Sequence, residues 1–361
     1  MNRVKKIRSA LPDETAAWIS SRANCRYLSG FTAENCMCLL SCAGSYYLTD
    51  KRYLEAAGSA ITELEVRDIE QLDDLLKALP EDRFAIETEH TTLAAIARRR
   101  QKYPELVFSE EDGLDKIISD LRIVKNAHEI DCICRAQSIA EQALEQVLPN
   151  IQPGRTEKEI ALELDFTMLS LGADAVSFDT IAVSGENGSL PHGVPGQREL
   201  RDGDLLTLDF GAVVDGYHSD MTRTFAIGSI NEEQRKIYEL VLTAQQAGIS
   251  AVCPGVSCKD VDNAVREVFE KAGMLERFAH STGHGMGLEV HEAPTVSRKS
   301  ETILREGMVV TIEPGLYLPG RFGMRIEDIV VVGKPQNITA AHTVMNGCVN
   351  LTMFSKALRM L

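Results

Sequence analysis

Residues Leu205–Phe225 read LLTLDFGAVVDGYHSDMTRTF, and their pattern decides the fold around them. Asp215-Gly216 is a strong two-residue turn signal between two alternating runs, so the stretch reads as a β-hairpin. With those two residues as the loop, Val214 faces Tyr217, Gly211 faces Asp220 and Asp209 faces Thr222. Asp209 and Asp220 then project from one face as diagonal neighbours, roughly 7–8 Å apart or less at the backbone. Leu205, Leu206, Leu208 and Phe210 make the first strand apolar on both faces, which implies burial. Two carboxylates side by side on a buried face repel each other and disfavour desolvation unless a cation lies between them. A pair of metal ions about 3.5–4 Å apart would fit that gap.

Further along, His280-Ser-Thr-Gly-His284-Gly-Met-Gly is followed by Val290-His291-Glu292. Three of the chain's eight histidines fall within these twelve residues. Glycines 283, 285 and 287 disfavour a helix and predict a loop with close backbone approach. No HExxH motif occurs, which excludes the helical zinc-peptidase mechanism. Val309–Gly315 predicts a buried strand that ends in the carboxylate of Glu313, and Gly323–Val330 predicts an apolar strand with Glu327 inside it. Together Asp209, Asp220, His284, Glu313 and Glu327 supply four carboxylates and one imidazole. This oxygen-rich set suits two divalent ions (Mn²⁺, Co²⁺, Fe²⁺ or Zn²⁺) in five- to six-coordinate geometry, and not a thiolate zinc site.

Outward from this constellation, helix signals repeat in order. A long helix is predicted from about Ala127 to Leu148, with Ile130, Ile133, Ala136, Ile139 and Ala143 at helical spacing and Pro149 as its stop. A second helix follows the Thr156/Glu159 capping box and ends at Gly172. Asn231 and Ser257 cap a second such pair, ending near Val252 and Gly273, and strands follow each pair. Two helix-pair-plus-sheet halves in tandem suggest a duplicated architecture. Residues before about 122–126 alternate strand signals (Cys36–Cys42, Ser45–Thr49, Arg83–Glu87) with helix signals (Leu72–Leu79, Thr91–Arg100) and carry no catalytic cluster. The 361 residues therefore divide into a smaller α/β domain, 1–125, and a larger α+β domain, 126–361.

Composition narrows the function classes. A net charge of −15 argues against nucleic acid or an anionic membrane as partner. No apolar run approaches a membrane span, and Met1–Ser20 holds no secretory apolar core, so a cytoplasmic protein is expected. The sequons at Asn187, Asn337 and Asn350 then carry no meaning. Nine cysteines without a CxxC pair read as reduced, unpaired thiols.

The motifs LDFGAVVDGYHSDMTRTF, HSTGHGMGLEVHE, TIEPGLY and MRIED, in that order, resemble the pita-bread metallopeptidases of the Xaa-Pro aminopeptidase (aminopeptidase P) and prolidase group. Leu121–Lys125 with Glu129-Ile130 resembles the group's entry into its catalytic domain; Asn24–Phe31 and Leu48–Tyr53 resemble its creatinase/prolidase-type N-terminal domain. The resemblance covers essentially the whole chain. It implies that Asp209 chelates one metal, that His284 and Glu313 hold the other, and that Asp220 and Glu327 bridge both, the metals being expected as Mn²⁺. It further implies that His192 and His291 contact substrate and the tetrahedral intermediate. In the same way, His280 lines the proline side, Arg325 orients the cluster through hydrogen bonds to carboxylates, and Glu313 shuttles a proton. The implied activity is hydrolysis of the Xaa-Pro bond at the N-terminus of peptides, with a prolidase acting on Xaa-Pro dipeptides as the alternative and a homodimer as the expected assembly. A non-catalytic pita-bread binding module or a metal-free, creatinase-like hydrolase is disfavoured because all five ligand positions are filled.

Overall fold

The computed structural model describes residues 2–334, 342–345 and 347–361; the sequon at Asn337 lies outside them. The chain forms two compact units, Met1–Arg122 and Ile123–Leu361.

The first unit runs α1 (Arg3–Ala10), β1 (Thr15–Ile19), α2 (Arg22–Ser29), β2 (Cys36–Leu40), β3 (Ser45–Thr49), α3 (Leu54–Ala60), β4 (Glu65–Asp68), α4 (Leu72–Ala78), β5 (Arg83–Ile86), α5 (Leu93–Lys102), β6 (Val107–Ser109) and α6 (Leu114–Arg122). Its sheet has the order β4-β3-β2-β1-β5-β6, mixed in direction. Trp18 packs edge-on against Phe84 and Phe108 in its core.

The second unit opens with α7 (Ala127–Val147), which starts on a capping box between Asn126 and Glu129. Ile130, Ile133, Ala136, Ala140, Ala143, Leu144 and Val147 bury one stripe of it, while Ile139 is only partly covered. Next come α8 (Glu157–Ser170), whose Thr156/Glu159 capping box is formed, β7 (Ala175–Val176), β8 (Ile181–Ser184), β9 (Leu205–Phe210), β10 (Ala212–Val214), β11 (Tyr217–His218) and β12 (Met221–Ala226). The second pass has α9 (Glu232–Ala251), α10 (Cys258–Lys271), β13 (Gly283–Gly285), β14 (Glu292–Val296), β15 (Val309–Ile312), β16 (Gly315–Leu318), β17 (Phe322–Arg325) and β18 (Asp328–Val332), followed by β19 (Thr343–Val344) and β20 (Cys348–Asn350). Asn231 and Ser257 cap α9 and α10. The helix-pair-then-strands order thus occurs twice.

The hairpin has the register its turn dictates: Val214 pairs with Tyr217 and Asp209 with Thr222. Asp215 and Gly216 both have positive φ, 49° and 75°, as a type I′ turn requires. At Gly211 a Cβ would lie 1.9 Å from the Ser219 carbonyl oxygen, so the strands can approach there only without a side chain.

Two segments differ from the sequence expectation. Gly283–Gly285, expected as loop, is strand β13, set between β14 and β15 in a six-stranded sheet. The close approach is real: a Cβ on Gly283 would lie 1.9 Å from the Thr311 carbonyl oxygen and one on Gly285 2.2 Å from that of Ala293. Glu327, expected inside a strand, sits in the break between β17 and β18. Its N–H leaves the sheet and donates to the Thr222 carbonyl oxygen at 3.1 Å, joining the second half to β12 of the first.

Candidate metal centre

Asp209 ends β9 one position before Phe210, and Asp220 immediately precedes β12. Both carboxylates are buried, at 9% and 5% exposure, and the register that pairs Asp209 with Thr222 sets them on one face. The second half brings His284 on β13, Glu313 just past the end of β15 and Glu327 at the β17–β18 break. Asp220, His284 and Glu327 each place one ligand atom within 4.8 Å of the others, the one such group among the described residues. His284 Nε2 lies 3.5 Å from both Asp220 Oδ2 and Glu313 Oε1.

The protonation of His284 follows from its other nitrogen. Nδ1 lies 3.0 Å from the Gly285 carbonyl oxygen, which can only accept, so Nδ1 carries the proton and Nε2 points its lone pair at the carboxylates. Burial also holds this imidazole below its ordinary range.

Without cations the acids cannot all ionise. Burial, then the charges of Glu327 and Asp209, hold the Asp220 carboxyl well above its usual value. Burial, then Glu313 and Asp209, do the same to Glu327. Burial pushes Glu313 up to about 7, with Arg325 pulling down and Asp209 adding to the rise. Asp209 Oδ2 accepts from Arg325, but its buried Oδ1 has no hydrogen-bond partner. An orphaned carboxylate oxygen facing a cluster of acids fits a cation, and hard oxygen donors with one imidazole fit a divalent ion. Each of these groups could hold metal.

The surrounding layer fixes the acids. Thr222 Oγ1 donates to Glu327 Oε2 at 2.7 Å and accepts from Arg325 Nε at 3.0 Å. Arg325 also donates to the Tyr317 hydroxyl at 2.7 Å and to the Pro191 carbonyl oxygen at 3.3 Å. Against expectation, Arg325 therefore reaches one carboxylate directly, that of Asp209, and acts on Glu327 through a hydroxyl. Arg223, buried against Asp328, donates to the Glu327 carbonyl oxygen at 2.6 Å. Thr222, Arg223 and Tyr317 lie inside the quoted motifs but were not singled out. Thr222 was legible, because the hairpin register places it opposite Asp209.

The other three histidines the sequence pointed to, His192, His280 and His291, lie near this group. The His291 ring lies 4.3 Å from that of His284. His280 Nε2 lies 2.9 Å from the Tyr317 hydroxyl and its Nδ1 2.8 Å from the Ser281 carbonyl oxygen, so the ring donates from Nδ1 and accepts from the tyrosine. Burial, with the nearby Arg325 charge, pushes His280 down to about 4. His192 is exposed and near enough for its charge to act on Glu313, His280 and His291.

A buried acidic pocket that needs cations to stay ionised, walled by histidines, defines a metal-dependent hydrolase. The chain belongs to metallopeptidase family M24, whose description matches residues 131–334, and residues 3–124 match the creatinase/prolidase N-terminal domain. It is 38% identical over 331 residues to the "Uncharacterized peptidase YqhT" of Bacillus subtilis, covering 90% of this chain and 93% of that one. It is 36% identical over 336 residues to the "Xaa-Pro dipeptidase" of Pyrococcus horikoshii, covering 92% and 94%. Among solved structures, the Xaa-Pro dipeptidase from Bacillus anthracis superposes with a TM-score of 0.91 at 34% identity, over 99% of both chains. The X-Pro aminopeptidase from Thermotoga maritima does so with 0.88 at 34% identity, over 99% of this chain and 100% of the other. The fold is thus the pita-bread fold with its smaller N-terminal domain, and enzymes of this family are dinuclear metal peptidases. Among the described residues, no helix is long and apolar enough to cross a membrane.

Proposed function

We propose that the protein hydrolyses the peptide bond before proline, with Xaa-Pro dipeptides as its main substrates. The observation that carries the chemistry is the convergence of Asp220, His284 and Glu327 beside Asp209 and Glu313 in one buried pocket. The preference for dipeptides is supported by relatives named Xaa-Pro dipeptidase, which weigh toward this alternative over the aminopeptidase reading that the motifs first suggested. The aminopeptidase reading keeps one specific support, the likeness to the Thermotoga maritima enzyme.

In this proposal Asp209, Asp220, His284, Glu313 and Glu327 would together hold two divalent ions. Bound divalent ions, Mn²⁺ in this reading, supply Lewis acidity and an activated water at neutral pH. His192 and His291 steady the carbonyl oxygen as negative charge develops on it. His280 lines the proline side, and Glu313 carries the proton to the departing imino nitrogen. An Xaa-Pro amide has no N–H, so a site that recognises the ring instead reaches bonds that N–H-dependent peptidases leave intact. A cytoplasmic homodimer completes the reading, on family resemblance.

The test is turnover of Xaa-Pro and Xaa-Pro-Yaa peptides by apoprotein reloaded with Mn²⁺, Co²⁺ or Zn²⁺. Dipeptide cleavage well above tripeptide cleavage is expected. The reverse order returns the aminopeptidase reading, and no cleavage of either peptide with any metal ends both.

A further inference from the structure

His192 makes no hydrogen bond among the described residues, so its place over the pocket is set by the loop that carries it. That loop leaves β8 at Ser184 and returns past Gly196. Both of its feet rest on one side chain. Glu157, the first residue of α8, is 0% exposed. Its Oε1 accepts from the Ser184 N–H at 2.7 Å, the Ser184 hydroxyl at 2.9 Å and Asn187 Nδ2 at 3.2 Å. Its Oε2 accepts from Asn187 Nδ2 at 3.0 Å and from the Gly196 N–H at 3.2 Å. The helix end itself takes the returning foot, Glu157 N–H to the Arg198 carbonyl oxygen and Lys158 N–H to that of Gly196, each at 3.0 Å. Inside the loop, the Leu190 N–H closes a turn on the Asn187 carbonyl oxygen, the Gly193 N–H closes the next one, which contains His192, on that of Leu190, and the Pro191 carbonyl oxygen accepts from Arg325.

The geometry points to Glu157 as a positioning residue for His192, a role that rests on the peptidase reading for what His192 touches. A carboxylate that accepts five hydrogen-bond contacts from one loop fixes the loop's span as no neutral side chain can, since every partner is a donor. Glutamine would turn an N–H₂ toward the donors of Asn187 and Gly196, leaving a buried donor unpaired and the feet free to separate.

A double-mutant cycle on Xaa-Pro turnover tests it, with E157Q, H192A, H291A and the pairs E157Q/H192A and E157Q/H291A. E157Q is expected to lower kcat/KM by about tenfold or more, with metal content unchanged. E157Q/H192A should be no worse than H192A alone, whereas the losses of E157Q and H291A should multiply. Losses that multiply in both pairs overturn the proposal, as does an H192A enzyme of full activity. N187A, which removes two of the contacts from the loop side, replaces E157Q in the same cycle if that variant does not fold. A second readout does not need turnover. The ring resonance of His192 in ¹⁵N-histidine-labelled protein, assigned by its loss in H192A, should shift in E157Q. An unmoved resonance overturns the positioning role, whereas inactivity of the wild-type enzyme overturns only the proposed substrate.

Discussion

At Asp220, burial and the charges of Glu327, Asp209 and Glu313 act toward the protonated acid, and the opposing charge of Arg325 does not offset them. Removing this side chain should therefore remove metal and activity together. Asp220→Ala is expected to lose at least about a thousandfold in kcat/KM, with metal content read by plasma mass spectrometry; a variant that stays fully loaded and active refutes the ligand role. Glu313 gives a pH prediction. In metal-free protein its folded-state value of about 7 exceeds the ordinary 4.5, so the stability it contributes is complete below about 4.5 and is lost as pH rises toward 7. His280 works from the other side. Depressed to about 4, it contributes stability above about 6.5 that is lost as pH falls toward 4. Over pH 4.5 to 7 the two act in opposite directions, so the Glu313 contribution is read as a difference: in thermal scans of chelator-treated protein, Glu313→Gln should gain stability relative to wild type as pH rises from 4.5 to 7. An unchanged slope in that variant refutes the assignment. All five proposed donors were legible in the sequence, and the structure brings Asp220, His284 and Glu327 together with Glu313 beside His284. The hydroxyls that orient them were not, because a threonine or tyrosine in an apolar run gives no sign of its partner until distant strands meet, as Thr222 and Glu327 do.

The hairpin was legible as an element because its turn residues leave one register: Asp215-Gly216 requires positive φ at both positions, and every pair outward follows. Strand β13 was not, since three residues with two glycines carry no alternation, and only its neighbours β14 and β15 define it. Glu327 was misplaced because its apolar flanks continue on both sides of a break that β12 creates from outside. Backbone approach at β13 yields a test. Gly283→Ala would set a methyl group into the Thr311 carbonyl oxygen, displacing the strand that carries His284. Metal retention after gel filtration should fall markedly in this variant. Thr156→Ala breaks the α8 capping box remote from any ligand and should cost about 1 kcal/mol in denaturant titrations while leaving metal content unchanged.

Across the whole second unit, the proposed donors come from separate passes of the same element order: Asp209 and Asp220 from the first, and His284, Glu313 and Glu327 from the second. Ions that bind only the folded chain raise its stability by mass action. At free metal a thousandfold above Kd this amounts to about 4 kcal/mol, so chelation should lower Tm by roughly 10 °C. An identical Tm with and without chelator would mean that no such ion is held. The division of donors also has a consequence during biosynthesis. A nascent polypeptide that ends before residue 327 would lack one of the five proposed donors, whatever it has already folded. Full loading of the proposed site would then be a late event in the life of each molecule, and until then the ribosome-bound chain would have to keep these acidic residues protonated or wet.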